Sequence, residues 1–263
     1  HTECRRQRQM CIRDRIEHKP AILAMVHAET STGVCQPMEG IGDLCRKHDC
    51  LLLLDTVTSL GGVPLYIDEW KVDLAYSCSQ KGLSCPPGLG PFTMGPRAEA
   101  KMTARQGKVP NWYLDVSLLN QYWGSDRVYH HTAPVNMNFG MREALRLLAE
   151  EGLDQAWARH RSNAEMLWNG LESLGLSMHV PAERRLPTLT TVRIPEGVDG
   201  KAFSQHLLNN HGIEVGGGLG SLAGKIWRIG LMGYNSTPEN VNRLLNLFET
   251  ELPRFSGSVA AAA

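Results

Sequence analysis

Short apolar runs alternate with amphipathic stretches along the first third of the chain. The runs at 21–26 (AILAMV), 51–54 (LLLL) and 72–76 (VDLAY) predict buried strands, and 91–94 is a candidate for another. Between the first two runs, residues 38–48 place Ile41, Leu44 and Cys45 at helical spacing. Strands that alternate with helices in this way predict parallel βαβ units.

The second half changes from long helices to a mixture of helices and strands. Helix 138–151 places Met141, Ala144, Leu145 and Leu148 on one face. After Gly152, helix 153–174 is expected to turn four residues towards a core: Trp157, Met166, Leu167 and Leu171. We predict strands at 177–180, 188–194, 213–215 and 225–229, and helices at 199–210 and 237–252 capped by Asp199 and Thr237. The pattern predicts an α/β fold with a sheet domain at 17–150 and a smaller α+β domain at 151–255.

Both ends differ from this pattern. Residues 1–16 (HTECRRQRQMCIRDRI) contain five Arg against Glu3 and Asp14, and no apolar stretch typical of a secretion signal. We expect them to be a non-native segment, such as translated adapter sequence, or a disordered one. The tail 256–263 (SGSVAAAA) is also expected to be disordered.

Composition and charge exclude several classes of protein. The 263 residues carry 27 Lys+Arg and 27 Asp+Glu, and this zero net charge argues against binding nucleic acid or membrane surfaces by bulk charge. No apolar run approaches the roughly 20 residues of a membrane span. The seven cysteines are odd in number, lack a CxxC pair and end at Cys85, which favours a reducing, intracellular compartment and no metal site.

Two motifs are misleading. Gly218-x-Gly220-x-x-Ala223 matches a dinucleotide-binding fingerprint, but that fingerprint needs a helix after the glycines, and the pattern predicts a strand. We interpret it as a glycine-rich turn. The adjacent His130 and His131 diverge on any regular element and are interpreted as structural rather than metal-binding.

Three side chains suggest chemistry. Asp55 ends a buried strand, where active groups of α/β sheets gather, although a helix cap is an alternative. Lys81 follows the next predicted strand, where desolvation makes an amine nucleophilic, although an exposed loop lysine is the default. Arg228 lies in an apolar strand and needs an anionic partner, either a substrate carboxylate or a structural acid. The spacing of Asp55 and Lys81 suits pyridoxal phosphate, whose ring nitrogen pairs with a carboxylate.

Several stretches in order resemble one family. They are HAETSTGVCQP (27–37), LDTVTSLGG (54–62), SCSQK (77–81), YHHT (129–132), and GGLG (217–220) followed by RIGL (228–231). From about Glu17 to about Phe255 the chain resembles the alanine–glyoxylate (serine–pyruvate) aminotransferases. These are class V, fold-type I pyridoxal-phosphate enzymes.

The resemblance implies a role for each matching residue. Lys81 would form the Schiff base and shuttle the proton, Asp55 would keep the ring nitrogen protonated, and Val57 would pack on the ring. Thr30 and Gln80 would bind cofactor oxygens, and Arg228 would clamp the substrate carboxylate. Tyr129 and Thr132 would reach the phosphate of a neighbouring subunit, which implies a homodimer with shared sites. The reaction implied is transfer of an amino group from alanine or serine to glyoxylate.

The chain also departs from the family. Members are longer at the N-terminus, where a phosphate loop and a ring-stacking aromatic residue lie. We therefore expect an N-terminally truncated chain that binds cofactor weakly or not at all. A serine–glyoxylate or other small-amino-acid transaminase, and an inactive dimerising remnant, remain alternatives. A cysteine desulfurase is nearly excluded, because its nucleophilic cysteine would follow the lysine at a distance and no cysteine follows Cys85. The compartment would be the cytoplasm, or the peroxisome or mitochondrion of a eukaryote.

Overall fold

A computed structural model describes residues 18–256. The expectations for residues 1–16 and, apart from Ser256, for the tail lie outside the described residues. The strands are β1 (Ile22–Val26), β2 (Ala28–Glu29), β3 (Val34–Cys35), β4 (Leu51–Asp55), β5 (Leu74–Tyr76), β6 (Phe92–Met94), β7 (Leu189–Arg193), β8 (Gly216–Gly217) and β9 (Ile226–Gly230). The helices are α1 (Ile41–Lys47), α2 (Pro96–Thr103), α3 (Val116–Trp123), α4 (Val135–Glu151), α5 (Leu153–Ser173), α6 (Gly200–His211) and α7 (Pro238–Glu251).

The first part of the chain folds around a mostly parallel sheet in the order β1-β4-β5-β6. β1, β4 and β5 run parallel, and β6 is antiparallel to β5. The four-leucine run forms β4 because a central parallel strand is covered on both faces, and Leu52 and Leu54 are fully buried. Asp55 is level with Val26 on one side and Tyr76 on the other, so three strands end together at one edge.

The second part folds around the antiparallel sheet β7-β9-β8, with helices packed against it. Asp199 and Thr237 cap α6 and α7 as predicted, each accepting a backbone N–H with its side chain. The core joins α5, α6, α7 and the sheet, and its largest fully buried side chains are Trp227, Phe203 and Phe248. These confirmed elements make this the α+β half of an α/β protein.

Two predicted strands are wrong. Residues 177–180 make only an isolated bridge between Met178 and Val192 before Pro181 turns the chain away. Residues 213–215 are not a strand because the Ile213 N–H bonds back to Leu207 and closes the end of α6. The pairing with β9 begins one residue later, at the glycines of β8.

The two parts of the chain share an apolar contact, beside the small antiparallel sheet β2-β3. Ala28 and Val63 from the first part pack with Leu186 and Leu189 from the second. Thr188 and Thr191 add hydrogen bonds of 2.8 Å to the carbonyls of Thr58 and Thr32. The chain direction breaks at Gly152, between α4 and α5, close to the predicted domain boundary at 150, which stays a prediction.

Two further findings bear on the class of protein. Within residues 18–256, no helix combines the length and apolar character needed to cross a membrane. The five cysteines of this part of the chain are all unpaired thiols: Cys35, Cys45, Cys50, Cys78 and Cys85.

Candidate active site

Lys81 lies in a loop that the backbone fixes against the turn following β4. The Ser79 hydroxyl donates to the Pro86 carbonyl at 2.6 Å. A Cβ on Gly82 would lie 2.3 Å from the Leu60 carbonyl oxygen, so only glycine fits beside the lysine. The Lys81 side chain is half-buried, and its Nζ has no hydrogen-bond or ion-pair partner among residues 18–256. The loop therefore holds an amine that is available for chemistry.

A cavity of about 620 Å³ lies between this loop and the second sheet. Gln80 and Lys81 line one side, and Arg228 of β9 lines the other. Three predicted site residues are thereby brought together from the first and second parts of the chain.

Arg228 is oriented by two backbone carbonyls. Its Nε donates to Gly217 at 2.7 Å, and its Nη1 donates to Thr30 at 3.3 Å. The described residues offer Nη2 no hydrogen-bond partner, and they offer the guanidinium no acidic one, which disfavours the interpretation as a structural ion pair. The bond to Thr30 also links this arginine to another predicted site residue, through the Thr30 backbone.

Asp55 is held by two donors at the end of β4. Its Oδ1 accepts the Val57 backbone N–H at 2.8 Å, and its Oδ2 accepts the Tyr76 hydroxyl at 2.6 Å. A turn follows rather than a helix, so the helix-cap interpretation is wrong. The hydrogen bond to Asp55, together with burial and the carboxylate charge, raises the pKa of Tyr76 to about 12. Asp55 and Val57 are not among the residues that line the Lys81 cavity.

Tyr129 and Thr132 lie apart from the cavity. The Tyr129 hydroxyl and Thr132 Oγ1 are 3.0 Å apart, and Tyr129 is 71% exposed. Neither lines the Lys81 cavity. Between them, His130 is buried, stacks on Trp112 and bonds to the Trp112 carbonyl. The expected divergence of the two histidines is wrong, because the segment is irregular and His130 Nδ1 lies 2.9 Å from His131 Nδ1. The stacking on Trp112 still supports the structural interpretation of His130.

Sequence reasoning missed several side chains around the site. Glu214, Met232 and Tyr234 line the cavity from the second part of the chain, and the Tyr234 N–H donates to Ser84 Oγ at 2.8 Å. No local pattern marks these contacts, since they join segments far apart in sequence. Tyr76 ends a predicted strand, but the register that sets it level with Asp55 is decided by the fold.

Among the described residues, one group outside the cavity contains residue types that bind metals. It bears on the expectation that the chain has no metal site. Ligand atoms of His206, His211 and Glu251 lie within 4.8 Å of one another. The same Glu251 Oε2 accepts from His206 Nε2 at 2.9 Å and from Arg254 at 2.7 Å. A guanidinium on the only carboxylate opposes a cation there, and we assign no metal to this group.

Comparison with known proteins places the chain in context. A family model described as "Aminotransferase class-V" matches residues 3–244. An alanine–glyoxylate aminotransferase of Oryctolagus cuniculus is 47% identical over 233 residues, which are 87% of this chain and 59% of that protein.

Solved structures agree with the sequence comparison. A crystal structure of alanine–glyoxylate aminotransferase from Nostoc sp. matches with a TM-score of 0.89 and 64% identity, covering 90% of this chain and 63% of that one. A crystal structure of ureidoglycine–glyoxylate aminotransferase from Bacillus subtilis matches with a TM-score of 0.91 and 41% identity, covering 94% and 64%. The chain thus spans about three fifths of the length of these relatives.

Proposed function

Because the chain belongs to the class V aminotransferase family, we propose that it serves a pyridoxal-phosphate-dependent transamination. The amino group of alanine, or of serine, would pass to glyoxylate, and the alanine reaction would yield glycine and pyruvate. The observation that carries this proposal is one cavity lined by the unpartnered Lys81 amine and by Arg228 with Nη2 available.

The residues present fit the cofactor. Pyridoxal phosphate needs an amine for its aldehyde and a carboxylate for its ring nitrogen. Asp55 at the end of β4 and Lys81 in the loop after β5 are of these types. When bound, the cofactor supplies a carbonyl group and an electron-withdrawing ring. The Val57 and Tyr76 donors hold the two carboxylate oxygens of Asp55 in place at the end of β4, where the carboxylate would pair with the ring nitrogen.

The remaining roles follow from position. Lys81 Nζ would carry the proton that leaves the substrate carbon. Arg228 Nη2 would bind the substrate carboxylate, while its other nitrogens stay fixed on Gly217 and Thr30. Val57 would pack on the ring, and Thr30 and Gln80 would bind cofactor oxygens.

We further propose that Tyr129 and Thr132 complete the site of a second copy in a homodimer. Neither residue lines the Lys81 cavity, which supports this, as does the exposed apolar surface of the segment that carries them. Several large apolar side chains of segment 112–147 are exposed, and burying them against a second copy would remove them from water. They are Trp112, Leu114, Trp123, Val128, Val135, Phe139, Leu145 and Leu147. Such a surface is typical of an interface between subunits.

A panel of substrates tests the reaction. Alanine, serine and ureidoglycine are each offered with glyoxylate or pyruvate, and glycine and oxo-acid products are measured. We expect alanine with glyoxylate to give the highest rate. A dominant serine or ureidoglycine rate would favour the alternative small-amino-acid transaminase.

The Lys81→Ala variant tests the site itself. It should abolish both turnover and the cofactor absorbance band, while the matched variant Lys101→Ala, on helix α2, should keep both. Equal activity of the two variants would overturn the assignment of Lys81.

The length of the match sets the last expectation. Since the chain spans about three fifths of its relatives, we propose that these 263 residues bind pyridoxal phosphate more weakly than a relative of full length. Spectroscopic titration of both proteins measures the difference. No binding and no turnover by the chain would favour the alternative of a dimerising remnant.

A further inference from the structure

One wall of the Lys81 cavity is a short turn that follows β9. The turn spans Gly233–Asn235, and Met232, Tyr234 and Asn235 all line the cavity. A single helical turn has too few hydrogen bonds of its own to keep a fixed position. The shape of this wall therefore depends on what the rest of the chain bonds to the turn.

The Lys81 loop bonds the turn on one side. The Tyr234 N–H donates to Ser84 Oγ at 2.8 Å, and the Ser84 N–H donates to the Lys81 carbonyl at 2.9 Å. Gly233 has a φ of +56°, and a Cβ there would collide with Ser84 Oγ, so only glycine allows this close approach. Ser84 itself has a φ of +56°, a conformation that a serine keeps only where its contacts fix it.

Helix α5 bonds the turn on the other side. His160 Nε2 accepts the Gly233 N–H at 2.8 Å. Arg159 Nη1 donates to the carbonyls of Gly233 and Ser236, both at 2.9 Å. Asn163 Nδ2 donates to the Ser236 carbonyl at 2.8 Å. Both backbone groups of Gly233 are thus bonded to side chains of α5.

His160 is the member of this group that must accept a hydrogen bond. Its Nδ1 lies 2.6 Å from the Ala156 carbonyl oxygen, which can only accept, so Nδ1 carries the ring hydrogen and Nε2 accepts. Burial lowers the pKa of His160, which is 1% exposed, and this favours the uncharged ring. His160 is not among the residues that line the Lys81 cavity, so any effect on a substrate passes through the turn.

We propose that His160 is a positioning residue of the Lys81 cavity. By accepting the Gly233 N–H, it fixes the turn that presents Tyr234 against the Lys81 loop, and it thereby sets the shape in which the cavity binds a substrate carboxylate. The inference rests on the proposed function, which assigns the substrate carboxylate to Arg228 in this cavity.

Two variants at position 160 separate the hydrogen bond from the packing. His160→Phe keeps a ring but has no acceptor, whereas His160→Gln has an amide oxygen that accepts and an N–H that donates. Amide hydrogen exchange, followed by NMR, reports on the turn. Exchange at Gly233 should be about tenfold faster in His160→Phe and within about threefold of the unmodified chain in His160→Gln.

Binding of oxamate reports on the cavity. Oxamate is a stable carboxylate of about the size of pyruvate, and its affinity for the 263-residue chain is measured by NMR titration without cofactor or turnover. Arg228→Ala should abolish this binding, which places the probe in the Lys81 cavity. In His160→Phe the affinity should fall about fivefold, and in His160→Gln it should return to within about twofold.

Two further variants complete the comparison. His27→Phe is the matched control, since it removes another buried imidazole that does not line this cavity, and oxamate affinity should change less than about twofold. Ser84→Gly deletes the bond to the turn from the other side, and its positive φ suits glycine, so this variant should fold. It should weaken oxamate binding about as much as His160→Phe, and it tests the turn even where His160→Phe unfolds.

The opposite results separate this inference from the proposed function. Unchanged oxamate affinity in folded His160→Phe, or in Ser84→Gly, would overturn the inference and leave the proposed function standing. An equal loss in His160→Phe, His160→Gln and His27→Phe would also overturn it, because it would show a general effect of buried histidines on stability. No binding of oxamate by the unmodified chain would overturn both.

Discussion

The Lys81 region and the segment 112–147 differ in a revealing way: the first has little regular secondary structure but buried side chains, and the second is mostly helical but exposed. The loops around Lys81 have little regular structure, yet Ser77, Ser79 and Cys85 are buried and bonded within the chain. Segment 112–147 is mostly helical, yet no residue of α3 or α4 is buried. The first region is held by its own tertiary contacts. The second presents apolar side chains to a surface that the described residues do not cover.

The comparison teaches that three of the eight predicted site residues come together in one cavity. Gln80, Lys81 and Arg228 line one cavity, whereas Tyr129 and Thr132 stand on the exposed helical segment. Changes in the first region should therefore affect folding, and changes in the second should affect association. Four predictions test this difference, beginning with the largest effect.

Acid should lower the free energy of unfolding, because it protonates histidines whose pKa values burial lowers. Burial lowers the pKa values of His27, to about 4, and of His160 and His179. The unfolded chain then binds more protons than the folded one, so stability is complete above about pH 6.5 and falls towards pH 4, by roughly 3 kcal/mol for His27 alone. Urea unfolding at several pH values measures this.

The His27→Phe variant sharpens the test, because it keeps a ring against Trp70 but cannot be protonated. Its stability should change less with pH by about the amount assigned to His27. A pH dependence equal to that of the unmodified chain would contradict the assignment.

Crowding the Lys81 loop should destabilise the fold. Gly82→Ala places a Cβ 2.3 Å from the Leu60 carbonyl oxygen, and the expected loss is about 1–3 kcal/mol. Gly107→Ala is the control, since its Cβ would meet nothing within 4 Å. Denaturant midpoints compare the two, and equal values would show that the loop is not tightly held.

Removing the Tyr76 hydroxyl should loosen Asp55 without unfolding the chain. Tyr76→Phe deletes the 2.6 Å bond to Oδ2, and a bond to a charged group contributes about 1.5–3 kcal/mol. We expect cofactor affinity to fall, measured by absorbance titration. Tyr66→Phe is the control; unchanged cofactor affinity in Tyr76→Phe would contradict this positioning role.

The smallest effect on folding is expected on the exposed segment. Phe139 is 63% exposed, so Phe139→Ser should change the free energy of unfolding by less than about 0.5 kcal/mol. The same change should weaken self-association, measured by sedimentation at several concentrations. Glu143→Ser, an exposed polar position of the same helix, is the control. A large loss of stability in Phe139→Ser would show that the segment belongs to the core of one chain.

Local pattern was enough for most elements, because burial repeats every two residues in strands and about every 3.6 in helices. The run LLLL predicted β4, and Asp199 and Thr237 marked the starts of α6 and α7. The pattern failed at 213–215 (IEV). The Ile213 N–H closes the end of α6, and the backbone of Gly216 and Gly217 pairs with β9 instead. Glycines carry no hydrophobic signal, so their pairing could not be predicted.

By itself, the sequence determined the strand ends that carry Asp55 and Lys81 and, through several motifs in order, the family. Only the tertiary structure decided that Arg228 and Lys81 line one cavity, that Tyr76 binds Asp55, and that the apolar face of α4 stays uncovered in residues 18–256. The physical reason is range. Periodicity and capping act within a few residues, whereas a cavity is formed by side chains from distant segments, whose positions depend on how the two sheets pack.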